Sequence, residues 1–298
     1  MKEKVLSFIF LFILYFLLVL GSPSAFARLD QVPTGTRPMG MAGAFLTVGK
    51  DGNTISWNPA AMPFVRHQDL GFTYHRPSDL LNIKEQNFSY LLAITDRHAV
   101  GFDWFRTSYS DEDDEEYKFS ENRFMFAYGY NFYKSLSFGV SLKYLTQNQT
   151  LDNTDSFDAN GMGVDLGVMF SPIEKLRLGV VALDATDTWM KFSENKHDKI
   201  YARTLRFGTS YQPIDSWIIA ADYDEGLHVG TEYWLANTLA LRGGIYKNFK
   251  TDDEIRYAIG GSLKYRFIQF DYGYNTHPVL PDTHRVSMSL AFELTPSL

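Results

Sequence analysis

From about residue 68 to the end of the chain, apolar residues recur at every second position. Leu136, Phe138, Val140, Leu142 and Tyr144 are separated by Ser137, Gly139, Ser141 and Lys143. Met162, Val164, Leu166, Val168 and Phe170 alternate with Gly163, Asp165 and Gly167. The same period holds around Phe124–Tyr128, Leu176–Val180, Leu205–Tyr211, Trp217–Tyr223, Leu239–Ile245, Ile255–Tyr265, Ile268–Tyr274 and Val286–Phe292. A period of two is the mark of a strand with two unlike faces. With weaker segments near 69–75, 86–94, 98–106 and 227–234, the pattern predicts about 14 strands. Many are near the 9–11 residues that a tilted membrane-spanning strand requires.

Alternation alone fits either a soluble sandwich with its apolar face inward or a barrel with that face turned to lipid. Three features favour the barrel. The non-apolar face is rich in Gly, Ala and Ser with scattered charge, which suits a crowded interior. Apolar rows end in aromatics such as Tyr74, Tyr128, Phe132, Tyr144, Trp217 and Tyr274, as interfacial girdles do. Connections also alternate in length. Tight turns are expected at Asp96-Arg97, Tyr133-Lys134, Pro172-Ile173-Glu174 and Gln212–Asp215. Long loops are expected at Ser108–Ser120, Gln147–Ala159 and Asp184–Lys199, with Lys247–Asp253 and Thr276–Thr283 also on the longer side. The run DYDEGLHVG gives one short outer loop, and the join near Tyr265 carries no clear turn signal. In hydrocarbon every backbone N–H and C=O must be paired within the protein, and closed sheet pairing satisfies this.

The N-terminus sets the compartment. Lys2 and Lys4 precede an apolar run, Val5–Leu20, and then Gly21-Ser22-Pro23-Ser24 and Ala25-Phe26-Ala27. This is the layout of a secretory signal peptide cut after Ala27. The expected division is a signal peptide over 1–27, an N-terminal hatch over 28–66 and an outer-membrane β-barrel over 67–298. The cell outer membrane is therefore the expected location, and outer-membrane lipid an expected partner.

Composition narrows the chemistry. The net charge is −7, which argues against nucleic-acid binding, and there is no Cys. No HExxH, GxSxG or phosphate-binding loop is present. The seven His, at 67, 75, 98, 197, 228, 277 and 284, show no metal-type spacing. The acidic run Asp111–Glu116 lacks the ligand spacing of a calcium loop and reads as a solvated outer loop. No catalytic residue, metal or cofactor is expected. Inward-facing Arg123, Lys143, Asp165, Arg177, Arg206, Asp222, Arg242, Arg256, Asp271 and Arg285 could line a polar path. Interior ion pairs that hold the hatch are the preferred reading.

A barrel of about 14 strands is too wide for its own side chains to fill. The stretch from Arg37 to Ala61, RPMGMAGAFLTVGKDGNTISWNPAA, is the natural occupant. Gly40 and Gly43 allow close backbone approach. Lys50-Asp51-Gly52-Asn53 is a turn signal. Asn58 can cap a short helix with Pro59 at its first position. Met39, Met41, Phe45, Trp57, Met62 and Phe64 are the candidate ligand-contacting surface.

The series Arg37, Gly40-Met41-Ala42-Gly43-Ala44-Phe45, Asp51 and Trp57-Asn58-Pro59-Ala60 resembles the N-terminal signature of the PorV/PorQ family, within the FadL-like group of outer-membrane proteins. The resemblance implies a 14-stranded barrel with a hatch. FadL-like members carry hydrophobic molecules across the outer membrane, whereas PorV and PorQ relatives serve type IX protein secretion and surface attachment. Two departures stand out: Lys50 replaces one member of an acidic pair, and residues 293–298 follow the last aromatic, Phe292. The expected activity is binding or passage of a hydrophobic small molecule, without catalysis. The alternative is a secretion accessory whose partners would be secretion-system proteins.

Overall fold

The computed structural model describes residues 34–76, 82–110, 117–133, 135–151, 155–192, 197–249, 255–277 and 281–292. The expected signal peptide and the acidic run Asp111–Glu116 lie outside the described residues. Sixteen strands follow one another among the described residues. They are β1 (Gln68–His75), β2 (Ile83–Ala93), β3 (His98–Ser110), β4 (Tyr117–Tyr133), β5 (Leu136–Leu151), β6 (Asp155–Ile173), β7 (Leu176–Leu183) and β8 (Thr188–Phe192). Then come β9 (His197–Tyr201), β10 (Thr204–Ile214), β11 (Trp217–Tyr223), β12 (Gly226–Leu235), β13 (Leu239–Asn248), β14 (Arg256–Tyr265), β15 (Ile268–Asn275) and β16 (Thr283–Phe292).

All of these except β8 and β9 form a closed, 14-stranded antiparallel barrel, in which β1 pairs with β16 and β5 with β6. β8 continues along the upper part of β6 beyond the end of β7, and β9 pairs with β8. Closure leaves the ring itself without a free edge.

The two faces separate as the alternation requires. Outward side chains are large and apolar: Phe126, Leu142 and Leu263 are 60%, 58% and 57% exposed. Inward positions such as Asp103, Ser141, Asp165, Asp222, Glu232 and Ser262 are buried.

Three expected loops are shorter than the sequence suggests. Ser108–Ser110 pair with Lys118–Ser120, and β5 pairs with β6 as far as Leu151 and Asp155. The stretch expected as a loop from Asp184 to Lys199 contains β8 and the start of β9. The apolar alternation stops there, at Gln147-Asn148-Gln149 for example, while backbone pairing continues. Both faces are polar, so the period gives no signal. The join near Tyr265 is a two-residue turn, Arg266-Phe267, with Arg266 at φ 55°. Asn or Gly would ordinarily mark a left-handed position, and here neither does.

The chain from Thr34 to Val65 packs inside the ring. It forms α1 (Thr36–Gly40), α2 (Thr54–Trp57) and a 3-10 turn over Pro59–Phe64. α1 packs against β13–β16, and the 3-10 turn against β2–β6. The Asn58 side chain caps that turn by accepting from the Ala60 N–H at 3.0 Å, with Pro59 at the first position. The expected short helix is of the 3-10 kind; Pro63 lies inside it and has no N–H for an α-helical bond.

Candidate functional site

The interior contact begins with backbone reach. A Cβ at Gly139 would lie 2.3 Å from both the Ala60 nitrogen and the Pro59 carbonyl carbon, so strand β5 and the 3-10 turn meet backbone to backbone. Gly40 sits against Gly260 in the same way. Of the interior segment's two expected close-approach glycines, Gly40 meets wall backbone, while Gly43 meets the His228 side chain. The wall glycines opposite them matter equally.

Charge then fixes the segment. Arg37 Nε and Nη2 donate to Glu232 Oε2 and Oε1, both at 2.6 Å, and Nη1 donates to Asp51 at 2.9 Å. Arg242 Nε also donates to Glu232 Oε2 at 2.6 Å. Burial opposes charge on Arg37, but Glu232 and Asp51 outweigh it and hold the guanidinium above its ordinary pKa. Asp222 Oδ2 accepts from the backbone N–H groups of Phe45 and Leu46 at 2.7 and 2.8 Å. The Asn58 amide donates to the Leu46 carbonyl at 3.1 Å. Thus Arg37, Gly40, Asp51, Asn58 and Pro59 all serve to seat the segment. Gly43, at φ 83°, lies beside His228, whose Nδ1 is 2.7 Å from the Ala42 carbonyl.

Most inward charges of the wall form ion pairs. Lys143 meets Asp165 at 2.7 Å and Asp184 at 2.5 Å, and Arg206 meets Asp224 at 2.6 Å. Arg242 meets Asp271 at 3.4 Å, and Arg123 approaches Asp103 at 3.9 Å. Arg285 meets Glu85 at 2.9 Å. Arg177 Nη1 donates to the Thr47 carbonyl at 3.4 Å, and Arg256 lies 5.4 Å from the centre of the Tyr246 ring. Asp224, in the turn between β11 and β12, is pulled well below the usual carboxylate range. Burial works against this, but His228 and Arg206 prevail. Among the described residues no group of three or more His, Asp or Glu is placed to hold a metal.

A cavity of about 410 Å³ lies above the interior segment, toward the end of the barrel where the strands are extended. Thr34, Ala42, Ser56 and Trp57 belong to the segment side. Phe105, Met125, Leu145, Leu183, Tyr201 and Tyr246 supply apolar wall, and the Lys143 and Arg206 ion pairs supply polar wall. Glu121, Arg123 and Arg256 also border it, so the lining is mixed, with apolar side chains set among charged ones.

Of the six candidate ligand-contacting residues, Trp57 lines this cavity. Met41, Phe45 and Trp57 share a buried cluster with Val48, Ile218 and Ala220; the Phe45 and Trp57 rings meet edge-on at 5.8 Å. Met39 is buried in α1. Met62 packs with Ile55, Val65, Leu91, Ala99 and Ala127. Phe64 packs on Ala60, Ala61 and Met169 beneath the Arg177 guanidinium. Sequence reasoning missed Phe105, Leu145, Glu232 and His228. The signal for Phe105 and Leu145 was present: each is a large apolar residue on the otherwise small and polar face. Nothing local marks Glu232 as the seat of Arg37, which is 195 residues away.

These features define a class: a closed antiparallel β-barrel, apolar outside, with its own N-terminal segment ion-paired into its interior. Solved structures of this shape include the toluene transporter TbuX of Ralstonia pickettii, with 14% identity, TM-score 0.63 and coverage of 89% of this chain and 100% of that one. The monoaromatic hydrocarbon channel CymD has 15% identity, TM-score 0.65 and coverage of 90% and 100%. A FadL homologue of Pseudomonas aeruginosa has 11% identity, TM-score 0.61 and coverage of 87% and 98%. No protein-family model and no curated protein matches the sequence.

Proposed function

We propose that this chain is a non-enzymatic outer-membrane barrel that binds or passes hydrophobic small molecules. In this reading residues 1–27 are a cleaved export signal, 28–66 a hatch and 67–298 the barrel. The observation that carries the reading is the combination of an apolar outward face with a lumen closed by its own N-terminal segment. An open lumen would admit polar solutes by size alone. A closed one restricts passage to molecules that bind along its lining, and apolar burial is worth about 25 cal/mol per Å². The shared fold of TbuX and CymD, which are named for toluene and monoaromatic hydrocarbons, supports the same class of cargo. The 410 Å³ cavity beside Trp57 and Tyr201 is the proposed first binding position. The PorV/PorQ-type secretion role draws its support from the N-terminal motif alone, and the ion pairs made by that motif serve seating in either case.

The test is uptake into vesicles carrying the purified full chain, with toluene and glucose as paired solutes. Entry of toluene above protein-free vesicles, with glucose excluded, is expected. Equal passage of both would mean an open pore, and entry of neither would overturn transport. Toluene should also change Trp57 fluorescence, read as the difference between the wild type and Trp57→Phe.

A further inference from the structure

On strands β1–β4 the acidic residues share the inward face, where Arg123 is the one Lys or Arg of these strands that joins them, beside Asp103. The acidic residues of these strands, Asp69, Glu85, Asp103 and Glu121, all occupy inward positions; the first three are buried, and Glu121 lines the cavity and accepts from the Tyr201 hydroxyl. Lys84 and Arg106 occupy outward positions on neighbouring strands. Lys84 is opposite Ser108, and Arg106 is opposite Gln86, so the two cations are diagonal neighbours. Arg76, exposed, directly follows β1, and His284, also exposed, lies on the adjoining β16. Among the described residues neither Lys84 nor Arg106 has an ion-pair partner.

One step toward the middle of the barrel the outward face becomes wholly apolar. Phe72 is opposite Phe88, Phe88 opposite Trp104 and Trp104 opposite Phe124. The Phe72 and Phe88 rings are 5.1 Å apart. Arg106 therefore sits directly above Trp104, and Lys84 one outward position beyond Gln86 and Phe88, on one continuous wall at the end of the barrel away from the tight turns.

We infer that this face binds the phosphorylated headgroup of a membrane lipid. Lys84 and Arg106, flanked by Arg76, meet the phosphate while the acyl chains lie along Phe72, Phe88 and Trp104. The occupant is fixed by the cations and the aromatic row together. A free phosphate has no use for the aromatic row, and an uncharged lipid has none for the cations. The inference rests on the reading that the outward face meets lipid.

The test uses the full chain in non-ionic detergent, with bound lipid counted by native mass spectrometry. Phosphatidic acid and diacylglycerol of identical acyl chains are added at equal mole fraction. Retention of phosphatidic acid about tenfold above diacylglycerol is expected. The double variant Lys84→Gln, Arg106→Gln should bring the ratio near unity, whereas Lys191→Gln, on the outward face of β8, should leave it unchanged. Heat-shifted gel mobility verifies that each variant is folded. Inorganic phosphate at the same concentration should not displace the lipid; displacement would make this a free-anion site and overturn the inference. Equal retention of both lipids by the wild type would overturn the headgroup site while leaving the lipid-facing reading intact. Retention of neither, together with a chain soluble without detergent, would overturn the lipid-facing reading itself.

Discussion

Arg37 and Glu232 are 195 residues apart and are joined by two parallel hydrogen bonds of 2.6 Å. One belongs to the interior segment and the other to the inner face of β12. Planar two-point pairing fixes orientation as well as distance, which a lysine in place of Arg37 would not do.

Replacing Glu232 with Gln leaves two buried guanidinium groups, Arg37 and Arg242, short of a counter-charge. Breaking a buried pair from one side costs about 3–5 kcal/mol. We expect Glu232→Gln to unfold at markedly lower urea, read by heat-modifiable mobility. The double variant Arg37→Met, Glu232→Gln should be less damaging than the two single changes added together. Simple additivity would show that the two residues are not coupled.

Close approach gives a second contrast. Gly139→Ala places a methyl group against the backbone of Pro59 and Ala60, and neither strand nor 3-10 turn can yield without moving. Gly243→Ala meets nothing within 4 Å. The first should expose Thr34–Val65 to protease in folded barrels, and the second should not. Equal protection of both variants would refute the backbone contact.

Asp222 answers two backbone N–H groups that have no helical partner. Asp222→Ala leaves the amides of Phe45 and Leu46 buried and unpaired, at about 1–3 kcal/mol each. Hydrogen exchange at these two amides should accelerate selectively. Asp222→Asn retains one acceptor oxygen and should give the smaller effect.

Lys50 gives a pH dependence. Burial, reinforced by the positive charge of Arg37, lowers its pKa from 10.5 to about 8. Between these values the unfolded chain holds a proton that the folded chain has released, so stability rises with pH across that window. Urea midpoints measured from pH 7 to pH 10 should increase from about pH 8 upward. Lys50→Met should flatten the rise and be more stable than the wild type at pH 7. A midpoint that falls over the same range would show that Lys50 is not depressed.

The strand pattern and the interior segment were legible because each leaves a local trace. Leu136–Tyr144 alternates since one face must be apolar and the other small. Asn58-Pro59 reads as a cap since the side chain serves its own neighbours. Strand ends were less legible. Around Gln147–Gln149 the wall extends past its apolar band, and pairing there depends on backbone groups that every residue carries. The candidate ligand surface was legible as apolar but not as to position. Met41 and Phe45 satisfy the same pattern as Trp57, yet they pack into a closed cluster while Trp57 borders the cavity.

Sequence alone determined the alternation, hence the sheet faces and the number of strands in the ring, because side-chain direction in a strand is a local property with period two. Which charges meet was decided only in three dimensions. Arg37 with Glu232, Asp222 with Phe45 and Leu46, and the segregation of Lys84 and Arg106 from the acids of their own strands all depend on register and closure. Register couples residues far apart in the chain, and pairwise electrostatics falls off with distance in space rather than in sequence.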